Sequence, residues 1–346
     1  MENINQNNQN VYKEVKQIAF QTRIVAFVFV IILILILAQV LGVNTHIFAG
    51  HLDGQKDSTG QTQGLMDISQ FKMAAIPDGA EGEMISYGEK LIRETYKYLG
   101  PGNKLGEVYA GNHLACGSCH LDGGTKAYAA PYIGLTALFP IYSGREGRVA
   151  SLEERINGCF ERSMNGKKLP LDSKEMIAIL SYMKHLSKDV PVGPRIEGQG
   201  FVKLTVPDRK ADLAHGEQVF KAQCISCHQA DGQGLVKTAG NLEDGYVYPP
   251  LWGDDSFNDG AGMARMLTAA KFIKGNMPLG ASLENPILTD EEAFDVAAYI
   301  NSFQRPSKAN KELDYPDLSK KPKDSAYPPY ADNIPQEQHK YGPFNF

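Results

Sequence analysis

Apolar and polar positions divide the chain into stretches with different periods. Residues 24–43 are apolar almost throughout, with Gln39 as the polar interruption. A helix of that length rises roughly 30 Å, the thickness of a bilayer's hydrocarbon core. The pattern therefore predicts a transmembrane anchor. A cleaved signal peptide is the competing reading, but its apolar region is usually about 7–15 residues and ends in a small-residue site. This run is longer, and no A-x-A follows it closely. Lys13, Lys16 and Arg23 precede the run, and only Lys56 follows soon after it. Cations mark the cytoplasmic side. Residues 1–23 are thus expected in the cytoplasm and residues 44–346 outside, which in a bacterium is the periplasm at the inner membrane. Residues 44–80 lack periodicity, are rich in Gly, Gln and Asp, and predict a tether.

Beyond residue 80, apolar positions recur at helical spacing in two similar units. Each has a Gly-Glu at the expected opening of an amphipathic helix, Gly88-Glu89 and Gly216-Glu217. Each then has a Cys-x-x-Cys-His and closes with a helix carrying a tyrosine, Tyr182 or Tyr299. A repeat of about 110 residues predicts one domain over 81–190 and a second over 208–305. Residues 191–207, rich in Pro and Gly, read as the linker. Seven prolines lie in residues 306–346, with Tyr315, Tyr327, Tyr330 and Tyr341 interspersed. The prolines forbid a long helix, and the aromatics predict a strap packed on a domain surface. No strand-rich region is evident, so the expected class is all-α.

Composition narrows the function. Lys plus Arg total 35 against 40 Asp plus Glu, a net charge of −5. That excludes a strongly basic nucleic-acid binder, so no nucleic-acid partner is expected. Five cysteines are too few for a disulfide scaffold, and an odd number leaves one over.

Four of the five fall in Cys116-Gly-Ser-Cys119-His120 and Cys224-Ile-Ser-Cys227-His228. Each matches the c-type heme attachment pattern, in which two thiols one helical turn apart bond the vinyl groups and the next His faces the iron. A lone Cys-x-x-Cys would equally suit zinc or redox chemistry; two copies, each followed by His, point to two covalent hemes c. The expected architecture is two tandem cytochrome c domains behind the anchor. In the second unit Met277-Pro278 resembles a loop that offers a thioether to iron. His228 and Met277 are 49 residues apart, as are His120 and Leu169 in the first unit. Leucine has no lone pair, so the two hemes are not expected to share a distal ligand. Met263 and Met266 are rivals to Met277, and Met164, Met176 and His185 are alternatives at the first heme.

The fifth cysteine, Cys159, lies ten residues before Leu169. A buried structural thiol is the plain alternative. Ser151-Leu-Glu-Glu154 is a capping box that opens a helix, and on it Arg155, Cys159 and Ser163 share one face. Gly158 beside the cysteine suits close approach of a bulky group. An arginine one turn away pulls a thiol below its usual ~8.5 and favours the thiolate, both ligand and nucleophile.

The run Arg155-Ile-Asn-Gly-Cys159-Phe-Glu-Arg-Ser163-Met-Asn-Gly resembles the thiosulfate dehydrogenase/tetrathionate reductase family of diheme c-type cytochromes. Gly111-Asn-His-Leu-x-Cys116, Arg145, the Lys-Gly-x-Met277-Pro loop and the Pro/Tyr-rich tail resemble it too, so that the likeness covers roughly residues 80–340. The resemblance implies His120 and Cys159 on an active-site heme, and His228 and Met277 on a heme that passes electrons onward. It implies that Arg145, Arg155 and Ser163 line the substrate pocket; a heme propionate is the other partner open to Arg145. Some members carry Lys directly before the second heme's Met, and Asn276 stands there in this chain.

The implied chemistry is interconversion of two thiosulfate with tetrathionate and two electrons, exchanged with a periplasmic or membrane partner such as a small cytochrome c. The substrates are dianions, which calls for guanidinium groups near the reacting sulfur. A membrane-anchored diheme electron carrier without a substrate of its own is the alternative. It predicts a second Met at the first heme and no need for Arg155. A diheme peroxidase is a further rival, but the acid/base cluster it needs is not evident.

Overall fold

A computed structural model describes residue 22 and residues 67–104, 106–190 and 196–346. The predicted anchor at 24–43 lies outside the described residues. Among the described residues no helix is long and apolar enough to cross a membrane.

Among the described residues, six helices of more than ten residues form two groups of three. The first group is α1 (Ala80–Arg93), α2 (Leu152–Arg162) and α3 (Lys174–Leu186). The second is α4 (Leu213–Gln223), α5 (Met266–Asn276) and α6 (Asp290–Ser302). Each group encloses its own apolar core. Leu91, Ile92, Phe160, Ile179 and Tyr182 fill the first; Phe220, Phe294, Ala297 and Ala298 fill the second, where Trp252 stacks on Phe303 at 4.0 Å. Each large side chain so buried contributes roughly 1.5–3 kcal/mol.

The first and last helices of each group cross at a glycine. A Cβ on Gly88 would stand 2.0 Å from the Ala178 carbonyl oxygen, and one on Gly216 would stand 2.2 Å from that of Asp295. Tyr182 and Tyr299 complete the two crossings, since each places its Cβ under 3 Å from the same glycine's missing one. This explains the repeated Gly and Tyr, and it corrects one expectation. Gly88-Glu89 does not open its helix, which starts at Ala80 with Gly79 as its cap; the glycine serves the crossing.

The class also needs correction, from all-α to mostly helical. Strands β1 (Ile141–Ser143) and β2 (Arg148–Ala150) form one antiparallel hairpin; β3 (Leu235–Thr238) and β4 (Asn241–Tyr248) form another. Both are short and turn through glycines, a pattern hard to separate from loop by periodicity. The β3–β4 hairpin reaches across to the first group. Lys237 Nζ donates to the Tyr96 hydroxyl at 2.7 Å, and Lys104 pairs with Glu243 at 2.7 Å.

Neither end of the first group hangs free. Ile68 is buried in its core and its N–H donates to Glu197 O at 2.9 Å. The segment after residue 306 runs over both groups. Asp314 meets the first through Arg162, while Phe344 packs on Phe294 of the second.

Candidate functional site

The two Cys-x-x-Cys-His segments sit in equivalent places. His120 Nδ1 bonds the Ala130 carbonyl at 2.7 Å, and His228 Nδ1 bonds the Pro249 carbonyl at 2.9 Å. Each carbonyl belongs to the residue before a proline, Pro131 or Pro250. The partner lies ten residues after His120 but 21 after His228. The β3–β4 hairpin fills the difference, which explains why the two prolines fall at different offsets in sequence. A carbonyl on Nδ1 fixes the ring and leaves Nε2 to coordinate a metal. Burial lowers the His228 imidazole below its ordinary value, which keeps it neutral and able to ligate.

A cavity of about 580 Å³ holds Cys224, Cys227, His228 and Met277, and Cys119 of the first group opens on it too. Two thiols, an imidazole and a thioether around a largely apolar space suit a covalent heme. Met277 caps α5, with its N–H on Ile273 O. Met263 lines the same cavity, whereas Met266 is sealed in the core.

In the first group Leu169, 49 residues after His120, is buried in the core. Its backbone is clamped by Asn157, whose amide gives and takes bonds of 2.9 and 2.8 Å. Met164 and Met176 are core residues, and His185 is bound to the Ala74 carbonyl at 3.0 Å.

Cys159 stands instead on α2. Ser151 caps that helix and exchanges bonds with Glu154, so the capping box fixes where the helix begins. Arg155 is exposed, and its Nη1 donates to the partly buried Cys159 Sγ at 3.1 Å. Burial alone would raise the Cys159 thiol, but the Arg155 charge and the nearby His120 outweigh it and bring it to about 6. Burial pushes Cys116 up to about 11, Cys119 to about 12 and Cys224 to about 11. Cys159 is therefore shifted in the opposite direction from Cys116, Cys119 and Cys224. A Cβ on Gly158 would meet only Arg162 Nη1 at 3.5 Å, so the protein itself leaves that side open.

The other predicted site residues are dispersed around this pair. Ser163 ends α2, and its carbonyl accepts from Asn112 Nδ2 at 3.0 Å. Arg145 is held by partners from the second half and the tail. Its Nη1 donates to the Gly260 carbonyl at 2.9 Å and to Asp314 Oδ2 at 3.2 Å. Sequence reasoning missed Arg162 and Asp314. Arg162 follows Cys159 on α2 and donates to Asp314 Oδ1 at 2.6 Å, while the Tyr327 hydroxyl donates to Oδ2 at 2.6 Å. Burial would raise Asp314, but the Tyr327 hydroxyl and the two guanidinium groups hold it below the usual carboxylate range.

Both halves of the chain are similar to known proteins. Residues 107–192 match the family model "SoxA/TsdA, cytochrome c domain", and residues 213–304 match "Cytochrome c". A thiosulfate dehydrogenase of Psychrobacter arcticus is 44% identical over 268 residues, which cover 78% of this chain and 77% of that protein. One of Allochromatium vinosum is 47% identical over 237 residues, covering 67% and 82%. Among solved structures, the thiosulfate dehydrogenase TsdBA of Marichromatium purpuratum matches with a TM-score of 0.63 at 36% identity. The match covers 70% of this chain but spans only 51% of that one. With two cytochrome c domains, two covalent hemes c and relatives this close over most of its length, the chain belongs to the thiosulfate dehydrogenase family.

Proposed function

We infer that this protein oxidises thiosulfate, joining two molecules into tetrathionate with release of two electrons, and that it runs the reverse reaction as well. The observation that carries the reading is the 3.1 Å contact from Arg155 Nη1 to Cys159 Sγ beside His120. His120 and Cys159 would hold the first heme, attached through Cys116 and Cys119. His228 and Met277 would hold the second, attached through Cys224 and Cys227. When bound, the two hemes supply the one-electron acceptors that the net reaction requires.

Cys159 is the nucleophile. With its thiol near 6 it is thiolate at neutral pH. It joins the outer sulfur of one thiosulfate in a new sulfur–sulfur bond, and two electrons leave in that step. The outer sulfur of a second thiosulfate attacks the bound one, the sulfur–sulfur bond to Cys159 breaks, and tetrathionate departs with the thiolate restored. This is covalent catalysis split into two easier steps. Arg155 both stabilises the thiolate and offers a fork to a sulfonate group. Arg145 and Ser163 complete the binding of the dianion. Residues 24–43 anchor the protein in the inner membrane, and the heme domains face the periplasm, where a small cytochrome c or a membrane partner exchanges electrons.

Visible and EPR spectra of the oxidised protein test the ligands. A low-spin thiolate-ligated heme beside a His/Met heme with its weak red-edge band is expected. Two His/Met signals would instead make the chain an electron carrier and remove Cys159 from the chemistry.

A further inference from the structure

The loop that orients His120 is held from the other half of the molecule. Residues 128–130 lie between the first attachment motif and β1. Tyr128 has φ 59° and Ala130 has φ 49°. Side chains rarely adopt that left-handed region, and such residues persist where surrounding bonds over-determine them. Tyr128 N–H donates to Gly198 O at 2.7 Å, and Ala130 N–H donates to Gly200 O at 2.8 Å. The Ala130 carbonyl takes the His120 Nδ1 bond. The Tyr128 carbonyl is left to Asn276, whose Nδ2 donates to it at 3.0 Å.

Asn276 is fully buried and directly precedes Met277. Its Nδ2 also donates to Phe272 O at 3.1 Å within α5, while its Oδ1 has no protein partner. A buried amide with an unpaired oxygen is costly relative to an apolar side chain of the same shape. What the amide supplies that leucine could not is its two N–H donors, one to each half of the molecule.

We propose that Asn276 is a positioning residue whose side-chain amide, at the end of α5 in the second half, holds the Tyr128–Ala130 loop that orients His120 and so sets the geometry at the first heme. This rests on the ligand reading above. The imidazole's electron donation depends on its Nδ1–H···O=C bond, and that donation is one of the protein's levers on heme potential. Loosening the Tyr128 carbonyl lets the Ala130 carbonyl, two residues on, drift from His120, weakens the donation and raises the first heme's potential. The effect arises in the second domain and is read in the first.

The test is a redox titration with EPR of the diheme protein carrying Asn276→Leu, with Asn276→Ser as a smaller replacement that cannot reach Tyr128. Met277→Gly serves as the control, because it removes the thioether while leaving the amide. A wild-type protein without a thiolate-ligated low-spin signal would mean that the ligand reading itself fails. With that signal present, both Asn276 variants are expected to retain two hemes, to raise the first heme's potential by at least about threefold in its reduction equilibrium constant, and to shift its g-values. Met277→Gly should leave the first heme where it was. An unmoved first heme in the Asn276 variants, or the same shift in Met277→Gly, overturns the proposal. If Asn276→Leu loses heme, the Asn276→Ser titration decides in its place by the same criteria.

Discussion

The two halves share a scaffold and differ at one decisive position. Both cross their outer helices at a glycine, and both hang their heme-motif histidine on a carbonyl that precedes a proline. Forty-nine residues later one half carries Met277 facing the cavity, and the other carries Leu169 locked in the core by Asn157. The sulfur missing from that loop is found on a helix, ten residues earlier, as Cys159. Moving the sulfur changes its chemistry. A thioether cannot be ionised or form a new sulfur–sulfur bond and return; a thiolate beside Arg155 can. On the proposed reading, the comparison teaches that one fold can yield an electron carrier or a reaction centre by the choice of which element presents the sulfur.

The change that breaks this comparison most completely is Cys159→Ala. It should lower turnover of thiosulfate and of tetrathionate by about 10³-fold or more, as loss of a covalent nucleophile does. Both hemes should remain attached, as a heme stain and the pyridine hemochrome spectrum would report. Substantial residual activity would mean that the thiol is structural.

Arg155→Ala should lower kcat/KM by roughly 10–100-fold, equivalent to about 1.4–2.7 kcal/mol. Arg155→Lys should recover only part of the loss, because an ammonium lacks the bidentate fork. The pH profile separates the two roles of the arginine. The thiolate is the active form, so the wild-type rate should rise as pH passes upward through about 6. Without Arg155 that rise should move to higher pH. An unmoved rise, with both kinetic constants within about twofold, would remove Arg155 from the site.

Gly88→Ala and Gly216→Ala probe what the halves have in common. Each added methyl meets a helix carbonyl at close to 2 Å, and overpacking of this kind costs about 1–3 kcal/mol. Thermal melts should show comparable losses for the two variants, with activity per folded molecule preserved. A large loss for one and none for the other would show that the crossings are not equivalent.

Met277→Gly should have a modest effect on catalysis, slowing thiosulfate oxidation about fivefold, or about 1 kcal/mol. Thioether ligation raises a heme's potential, so its loss should lower the second heme's potential and remove the red-edge band. Oxidation, which delivers electrons there, should slow more than tetrathionate reduction. An unchanged potential would assign the ligand to Met263, which lines the same cavity.

What the sequence discloses here is what lies close along the chain. The two Cys-x-x-Cys-His motifs, the Ser151 capping box and the Arg155–Cys159 spacing are all contained within a few helical turns. The shared carbonyl before a proline was hidden by an inserted hairpin whose strands are too short to declare a period. Arg162, Asp314 and Tyr327 were missed for a different reason. Arg162 and Asp314 stand 152 residues apart, and nothing in a pattern of charges pairs a helix with a proline-rich tail at that distance. Arg145 was read as a pocket residue by likeness alone, and its bonds to Gly260 and Asp314 come from elements no local rule connects to it.

The carboxylate of Asp314 also sets an order of events during biosynthesis. Ribosomes deliver the chain from its amino end, so Arg145 and Arg162 are made long before the residue that neutralises them. Until residue 314 has emerged and docked, Arg145 and Arg162 lack the carboxylate to which both donate in the folded molecule. A product cut short before residue 314 would carry both heme attachment motifs yet lack the carboxylate that Arg145 and Arg162 share. Docking of the proline-rich segment is thereby coupled to two arginines made more than 150 residues earlier.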